Sequence, residues 1–158
     1  MKSSPQGTIF HSSDYLTICD ELLDGKLTIF GCFKGDDLIG GCALTVHNRI
    51  FKTATKFKMT PYGGVILKPS LSEKIHTKEG EYTNIIELFL EAFNDEHYRS
   101  ITLFNSPSLE DIRPFTRNGW KSSVYYTYYL DLTDDLVQKM SRNVRKNIRK
   151  AIKIYGKP

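Results

Sequence analysis

Two β-prone stretches, residues 26–33 and 38–47, are separated only by the turn Lys34-Gly35-Asp36-Asp37. This turn is typical of a tight hairpin, so the two stretches predict neighbouring antiparallel strands. The second stretch contains Gly40-Gly41, and paired glycines inside a strand indicate a bulge or a close approach of another part of the chain. An all-parallel sheet is excluded here, because parallel strands need a long crossover connection.

Helices and strands alternate in the remainder of the chain. Residues 11–23 carry apolar side chains at helical spacing, and 70–98 have a broad apolar face in their second half, so both predict helices. Interleaving after an antiparallel start predicts an α/β (α+β) fold, a mixed sheet flanked by helices. The predicted elements are helix 11–23, strands 26–33, 38–47, 50–59 (exposed) and 65–67, helix 70–98 with Gly80 as a point of interruption, strand 100–105, helix 109–117, strand 120–132 and helix 134–155.

Length and composition predict one soluble, folded domain over residues 1–158. The chain is 40% hydrophobic and 25% charged, which excludes wholesale disorder. No apolar run reaches the ~20 residues of a membrane-spanning helix, and the first ten residues lack the apolar stretch of a secretory signal. Three cysteines without a CxxC pair predict neither a disulfide framework nor a metal site. We therefore expect a reduced, cytoplasmic protein.

Positive charge is concentrated at the end of the sequence. Residues 139–157 hold eight basic residues and no acidic one, which leaves 14 basic and 18 acidic residues in 1–138. A mildly acidic body with a basic terminal segment indicates an anionic partner for that segment.

A motif near the end resembles a known family. Thr127-Tyr128-Tyr129-Leu130-Asp131-Leu132 has the form T-x-x-x-D-L, and it precedes the basic helix with its sequence RNVRKNIRKA and then Gly156. This combination resembles the Fem family, the peptidoglycan-bridge aminoacyltransferases and their relatives. His11, Pro61-Tyr62-Gly63-Gly64 and the passage 115–120 are similar to the first, GNAT-like (acyl-CoA N-acyltransferase-like) lobe of that family.

The resemblance implies a GNAT-like lobe with a sheet body over 8–133 and a basic amphipathic helix over 134–156. Fem-type proteins resemble two such lobes in tandem, so the resemblance implies a second lobe that this chain lacks. It also implies the substrate-positioning half of an acyl- or aminoacyltransferase, acting on an amine acceptor of a cell-wall or related precursor and inactive alone. The phosphate-bearing substrate would be a nucleotide-linked or lipid-linked precursor or an aminoacyl-tRNA.

Two places carry the predicted substrate-binding residues. The basic helix has three interpretations: a solvated face, a phosphate site built from Arg forks, or a surface for nucleic acid or anionic membrane. The turn at 61–64 is either a ligand cleft, since glycine lets backbone approach a ligand, or a plain turn. The candidate residues are Tyr62, Gly63, Gly64, Arg142, Arg145, Lys146 and Arg149.

The sequence predicts no cofactor and identifies no catalytic residue. A coenzyme A site needs a glycine-rich turn whose N–H groups cradle a pyrophosphate, and the corresponding residues 65–73 contain Pro69 and no glycine. The four histidines lie at no telling spacing from a nucleophile or an acid, so we predict no cofactor, no metal and no assigned catalytic residue. The apolar stripe of the last helix, without a second lobe to cover it, predicts a homodimer.

Overall fold

The structure is a computed structural model that describes residues 4–22, 24–58, 60–129 and 136–156. It divides into two compact units, Met1–Ser122 and Ser123–Pro158. None of the helices in the described ranges combines the length and the apolar character that a membrane crossing requires. In chain order the elements are a 3₁₀ helix Ile9–His11, α1 Ser13–Leu22, β1 Lys26–Lys34, β2 Asp37–Asn48, β3 Lys52–Thr55, β4 Val65–Leu67, α2 Ile75–Asp95, β5 Ser100–Ile101, α3 Arg113–Arg117, α4 Leu136–Lys139 and α5 Arg142–Tyr155.

The first unit is built on a mixed, open sheet of five strands centred on β2. One edge of β2 pairs antiparallel with β1, and the other edge is shared by β3 and β4, also antiparallel. β5 then adds to β3 in parallel. The structure therefore confirms the mixed α/β architecture with antiparallel strands at its start.

The hairpin of β1 and β2 follows the sequence prediction. Lys34 pairs with Asp37, so the loop has two residues, and its Gly35 adopts a φ of +61° that favours glycine. Opposite Cys32 and Phe33, β2 carries one extra residue, Ile39. This bulge lies next to Gly40, as the paired glycines indicated.

The two faces of the sheet have separate cores, because successive β2 side chains point to opposite sides. Leu44 of β2 packs with Ile86 and Phe93 of α2, and all three are at most 1% exposed. On the other face, Leu16 of α1 packs with Ala43 in a smaller cluster. Complete burial of such a Leu, Ile or Phe side chain contributes about 1.5–3 kcal/mol, so the α2 face holds most of the stabilising apolar area.

Helix α2 begins later than predicted and passes through Gly80 without interruption. The hydroxyl of Ser70 accepts the N–H of Ser72, and the hydroxyl of Ser72 accepts the N–H of Lys74. Such side-chain bonds to nearby backbone hold a segment in a non-helical conformation. They explain why the helix starts at Ile75 rather than at residue 70.

Strands β3 and β5 are shorter than predicted, and the prediction that 50–59 is an exposed strand is wrong. β3 lies inside the sheet between β2 and β5, and its Ala54 is only 2% exposed. Alternation of lysines along 50–59 suggested an exposed face, but pairing on both edges buries the strand.

The predicted strand 120–132 is absent over residues 121–129, which form no ladder with any described strand. β-branched and aromatic side chains favour a strand only where a neighbouring strand supplies hydrogen bonds. The rest of this prediction, Leu130-Asp131-Leu132, lies outside the described residues.

The predicted helix 134–155 is two helices, α4 and α5. Ser141 interrupts it with an extended ψ of 154°, and its hydroxyl accepts the N–H of Val144 as the N-cap of α5. Serine competes for backbone bonds inside a helix and is favoured at this position. The predicted helix start, Asp134-Asp135, lies outside the described residues.

Candidate functional site

Helix α5 brings four predicted site residues onto one face. Arg142, Arg145, Lys146 and Arg149 stand at positions i, i+3, i+4 and i+7 of a continuous helix. At 3.6 residues per turn these positions, together with Lys150 and Lys153, fall within an arc of about 140°. We call these six residues the cationic face.

The opposite side of α5 is apolar. Val144, Ile148 and Ile152 recur at a four-residue spacing on that side. The six cationic residues and these three aliphatic residues therefore lie on opposite sides of α5, as in helices that present one face to an apolar surface and the other to an aqueous ligand.

The start of α5 is unusual in its charge. The first turn carries Arg142 and Arg145 and no acidic residue, although the positive end of the helix dipole favours carboxylates there. The Ser141 hydroxyl accepts the N–H of Val144, and the Ser141 carbonyl accepts the N–H of Arg145. The remaining first-turn N–H groups and the two guanidinium groups together suit an anion.

The turn Pro61–Gly64 belongs to the first unit. The Gly63 N–H donates to the Phe104 carbonyl at 2.9 Å, and the Val65 N–H donates to Asn105 Oδ1 at 3.1 Å. Gly63 and Gly64 are buried, and Tyr62 is half-buried. The turn is thus tied to residues 104–105, which extend from β5.

The glycines of this turn are required by contacts inside the chain. A Cβ on Gly63 would lie 2.6 Å from Lys56 Cβ, and a Cβ on Gly64 would lie 2.0 Å from Asn105 Oδ1. The close approach predicted at this position is therefore made by the protein's own residues. The sequence around Lys56 and Asn105 does not predict their contacts with this turn. Each residue is identified only by its proximity in the fold.

The loop between β4 and α2 is where a GNAT lobe would cradle a pyrophosphate. Its Ser70 N–H donates to the Tyr82 hydroxyl at 3.2 Å, and the N–H groups of Ser72 and Lys74 donate to serine hydroxyls. These three donors are therefore already used by acceptors of the chain itself.

The three cysteine thiols of the first unit are buried. Burial raises the pKa of the Cys42 thiol to about 12 and raises the pKa of Cys32 as well. His11 accepts the Thr8 N–H at Nδ1 (3.3 Å), and burial lowers its pKa. Within the described ranges, no three His, Cys, Asp or Glu side chains come together as a metal site.

A groove of about 910 Å³, which the sequence did not predict, lies between the first turns of α2 and residues 107–114. Its charged centre is Arg113, which binds Asp111 through Nε (2.8 Å) and Nη2 (2.9 Å) and lies 3.3 Å from Glu79. The Arg113 guanidinium lowers the pKa of Asp111. Because two carboxylates neutralise this arginine, the groove does not offer it as a free anion site.

Comparison with protein-family models, with curated proteins and with solved structures gives no match to this chain in any of the three.

Proposed function

We propose that this chain is the substrate-positioning half of a GNAT/Fem-like acyl- or aminoacyltransferase, and that α5 holds the phosphate-bearing part of its substrate. The observation that carries the proposal is the cationic face of α5, five of whose six members follow the basic pattern of the Fem resemblance. The mixed sheet with helices on both faces is compatible with a GNAT-like lobe.

The arrangement of charge on α5 supports an anionic ligand. Arg142 lies three and four residues from Arg145 and Lys146, and like charges at this spacing destabilise a helix by about 0.2–0.5 kcal/mol per pair. The two arginines of the first turn also oppose the helix dipole. A bound phosphate or diphosphate would offset both effects, and arginine forks match phosphate oxygens in bidentate geometry.

The reaction class is acyl transfer to an amine. The amine lone pair attacks the carbonyl of an activated acyl ester, the ester oxygen leaves, and the amine loses a proton. Catalysis of such a step relies on orienting both substrates and on stabilising the oxyanion. We assign the orienting part to this chain and no catalytic residue to it. The isolated chain should therefore give no turnover with acyl donor and amine acceptor, and robust turnover would contradict the half-enzyme proposal.

Binding tests the site directly. We would titrate the full chain with inorganic pyrophosphate and with a nucleoside-diphosphate sugar by calorimetry. The double variant Arg142→Gln/Arg145→Gln removes two charges from the first turn, and Lys150→Gln/Lys153→Gln removes two from the last turns of the same helix. We expect at least a tenfold loss of affinity, about 1.4 kcal/mol, in the first variant and a smaller loss in the second. Equal losses in both, or no binding by the parent chain, would contradict the proposal.

A second candidate function is a non-enzymatic binder of nucleic acid or an anionic surface, and the eight basic residues of 139–157 with no acidic one favour it. This function predicts binding to duplex RNA or transfer RNA with a strong salt dependence. The logarithm of affinity would fall by about 0.7–0.9 per phosphate contacted for each decade of salt. A slope corresponding to one or two phosphates would favour the diphosphate site instead.

A further inference from the structure

Strand β1 forms an edge of the sheet, because β2 is its only partner among the described strands. The Leu27 N–H, which does not face β2, is taken by the Asp20 carboxylate at 2.8 Å. Successive residues of a strand alternate the side to which their N–H and C=O groups point. The outward-facing backbone groups that follow Leu27 are therefore those of Ile29, Gly31 and Phe33, and no described residue bonds to them.

The same residues leave apolar side chains uncovered. Ile29 is 62% exposed and Phe33 is 61% exposed, and residues 27–33 include no charged side chain. Natural sheet edges are usually blunted by central charges, proline or short length. β1 has nine residues and carries its lysines only at its two ends. Its central residues can therefore pair with another strand.

We propose that a second copy of this chain pairs with β1, antiparallel and centred on Gly31, so that two sheets join into one. The free outward groups lie symmetrically about Gly31, and this symmetry is what a two-fold, self-complementary interface requires. In this register Ile29 of each copy faces Phe33 of the other. Three hydrogen-bonded pairs form, with about six N–H···O bonds, and two Ile–Phe contacts cover the exposed side chains.

Other registers are less favourable for reasons visible in β1. A pair centred on Phe30 would place Lys26 opposite Lys34, and like charges directly opposite each other are destabilising. A pair centred on Ile29 would use the N–H of Leu27, which Asp20 already holds. Centring on Gly31 avoids both costs and brings Lys26 of each copy towards the hairpin turn of the other, which carries Asp36.

Sedimentation of the full chain over a wide concentration range tests the interface. Ile29→Lys places a charge opposite Phe33 of the other copy, on a side chain that is already exposed. Ile50→Lys is the matched control, since Ile50 is 89% exposed and lies outside β1. We expect a dimer whose dissociation constant rises more than about tenfold in Ile29→Lys and stays unchanged in Ile50→Lys. A monomer at every concentration would overturn the proposal. So would a dimer that Ile29→Lys leaves intact, which is the result expected if two copies pair through α5.

Disulfide trapping tests the register. The Cα atoms of a hydrogen-bonded antiparallel pair lie about 5.5 Å apart, within disulfide range, whereas positions 29 and 33 of one strand are about 13 Å apart. A mixture of Ile29→Cys and Phe33→Cys chains should therefore cross-link on oxidation, while either variant alone should not. Cross-linking of Ile29→Cys with itself would overturn the centring on Gly31, and so would a parent dimer whose mixed variants never cross-link.

Discussion

Gly64 and Asn105 are adjacent only because position 64 has no side chain: a Cβ there would lie 2.0 Å from Asn105 Oδ1 and 2.8 Å from Asn105 Cα. The same Asn105 oxygen accepts the N–H of Val65. Two segments 40 residues apart in sequence are thus joined by a contact and a hydrogen bond, and they position the turn that contains Tyr62.

The substitution Gly64→Ala should destabilise the fold. The added methyl group meets backbone as well as a side chain, so the segments must separate, and overpacking of this kind costs about 1–3 kcal/mol. Denaturant unfolding measures the change. Gly80→Ala is the control, because an added Cβ at Gly80 meets nothing within 4 Å and alanine in a helix should stabilise it by about 0.5–1 kcal/mol. Equal stability of the two variants would contradict this account of the turn.

Gln6 also joins segments that are distant in sequence, and its truncation should lower the free energy of unfolding. It is 3% exposed, its Oε1 accepts the Leu67 N–H at 3.2 Å, and its Nε2 donates to the Ser108 carbonyl at 3.1 Å. Gln6→Ala leaves both partners unsatisfied, and each buried group so left costs about 1–3 kcal/mol. We expect a lower midpoint in thermal and denaturant unfolding. A loss no larger than that of Thr17→Ala, on the exposed side of α1, would contradict this role.

Features set by local chemistry could be predicted from the sequence, and features set by tertiary pairing could not. The two-residue turn at Gly35 and the C-terminal stop at Gly119, with φ +80°, follow from glycine's access to positive φ. The cationic face of α5 follows from helical spacing alone. By contrast, residues 121–129 look like a strand, but whether they form one depends on a neighbouring strand that sequence periodicity does not reveal. The contact between Gly64 and Asn105 likewise joins segments that are far apart in sequence.

Protonation of His11 should lower the stability of the fold in mild acid. Burial lowers its pKa below the ordinary 6.5, so the unfolded chain binds this proton more readily than the folded chain does. The stability contribution is complete above pH 6.5 and declines as the pH falls from 6.5 towards the lower folded value, by at most about 1.4 kcal/mol per pH unit. Denaturant unfolding from pH 7.5 to 5 measures this slope. His11→Asn, which cannot titrate, should show a shallower slope. An unchanged slope would contradict the assignment.

The thiol of Cys42 should be inert in the folded chain. It is 2% exposed, and its pKa is raised to about 12, so at pH 8 both access and thiolate formation oppose alkylation. Mass spectrometry after iodoacetamide treatment should find Cys42 unmodified under native conditions and fully modified in denaturant. The ratio of the two rates then reports the opening of the α2 face of the sheet, where Cys42 packs. Gly64→Ala, which destabilises the same unit, should increase native alkylation in proportion to its loss of stability, whereas Gly80→Ala should not increase it. Native alkylation of Cys42 as fast as that of an unfolded peptide would show that this core does not close over β2.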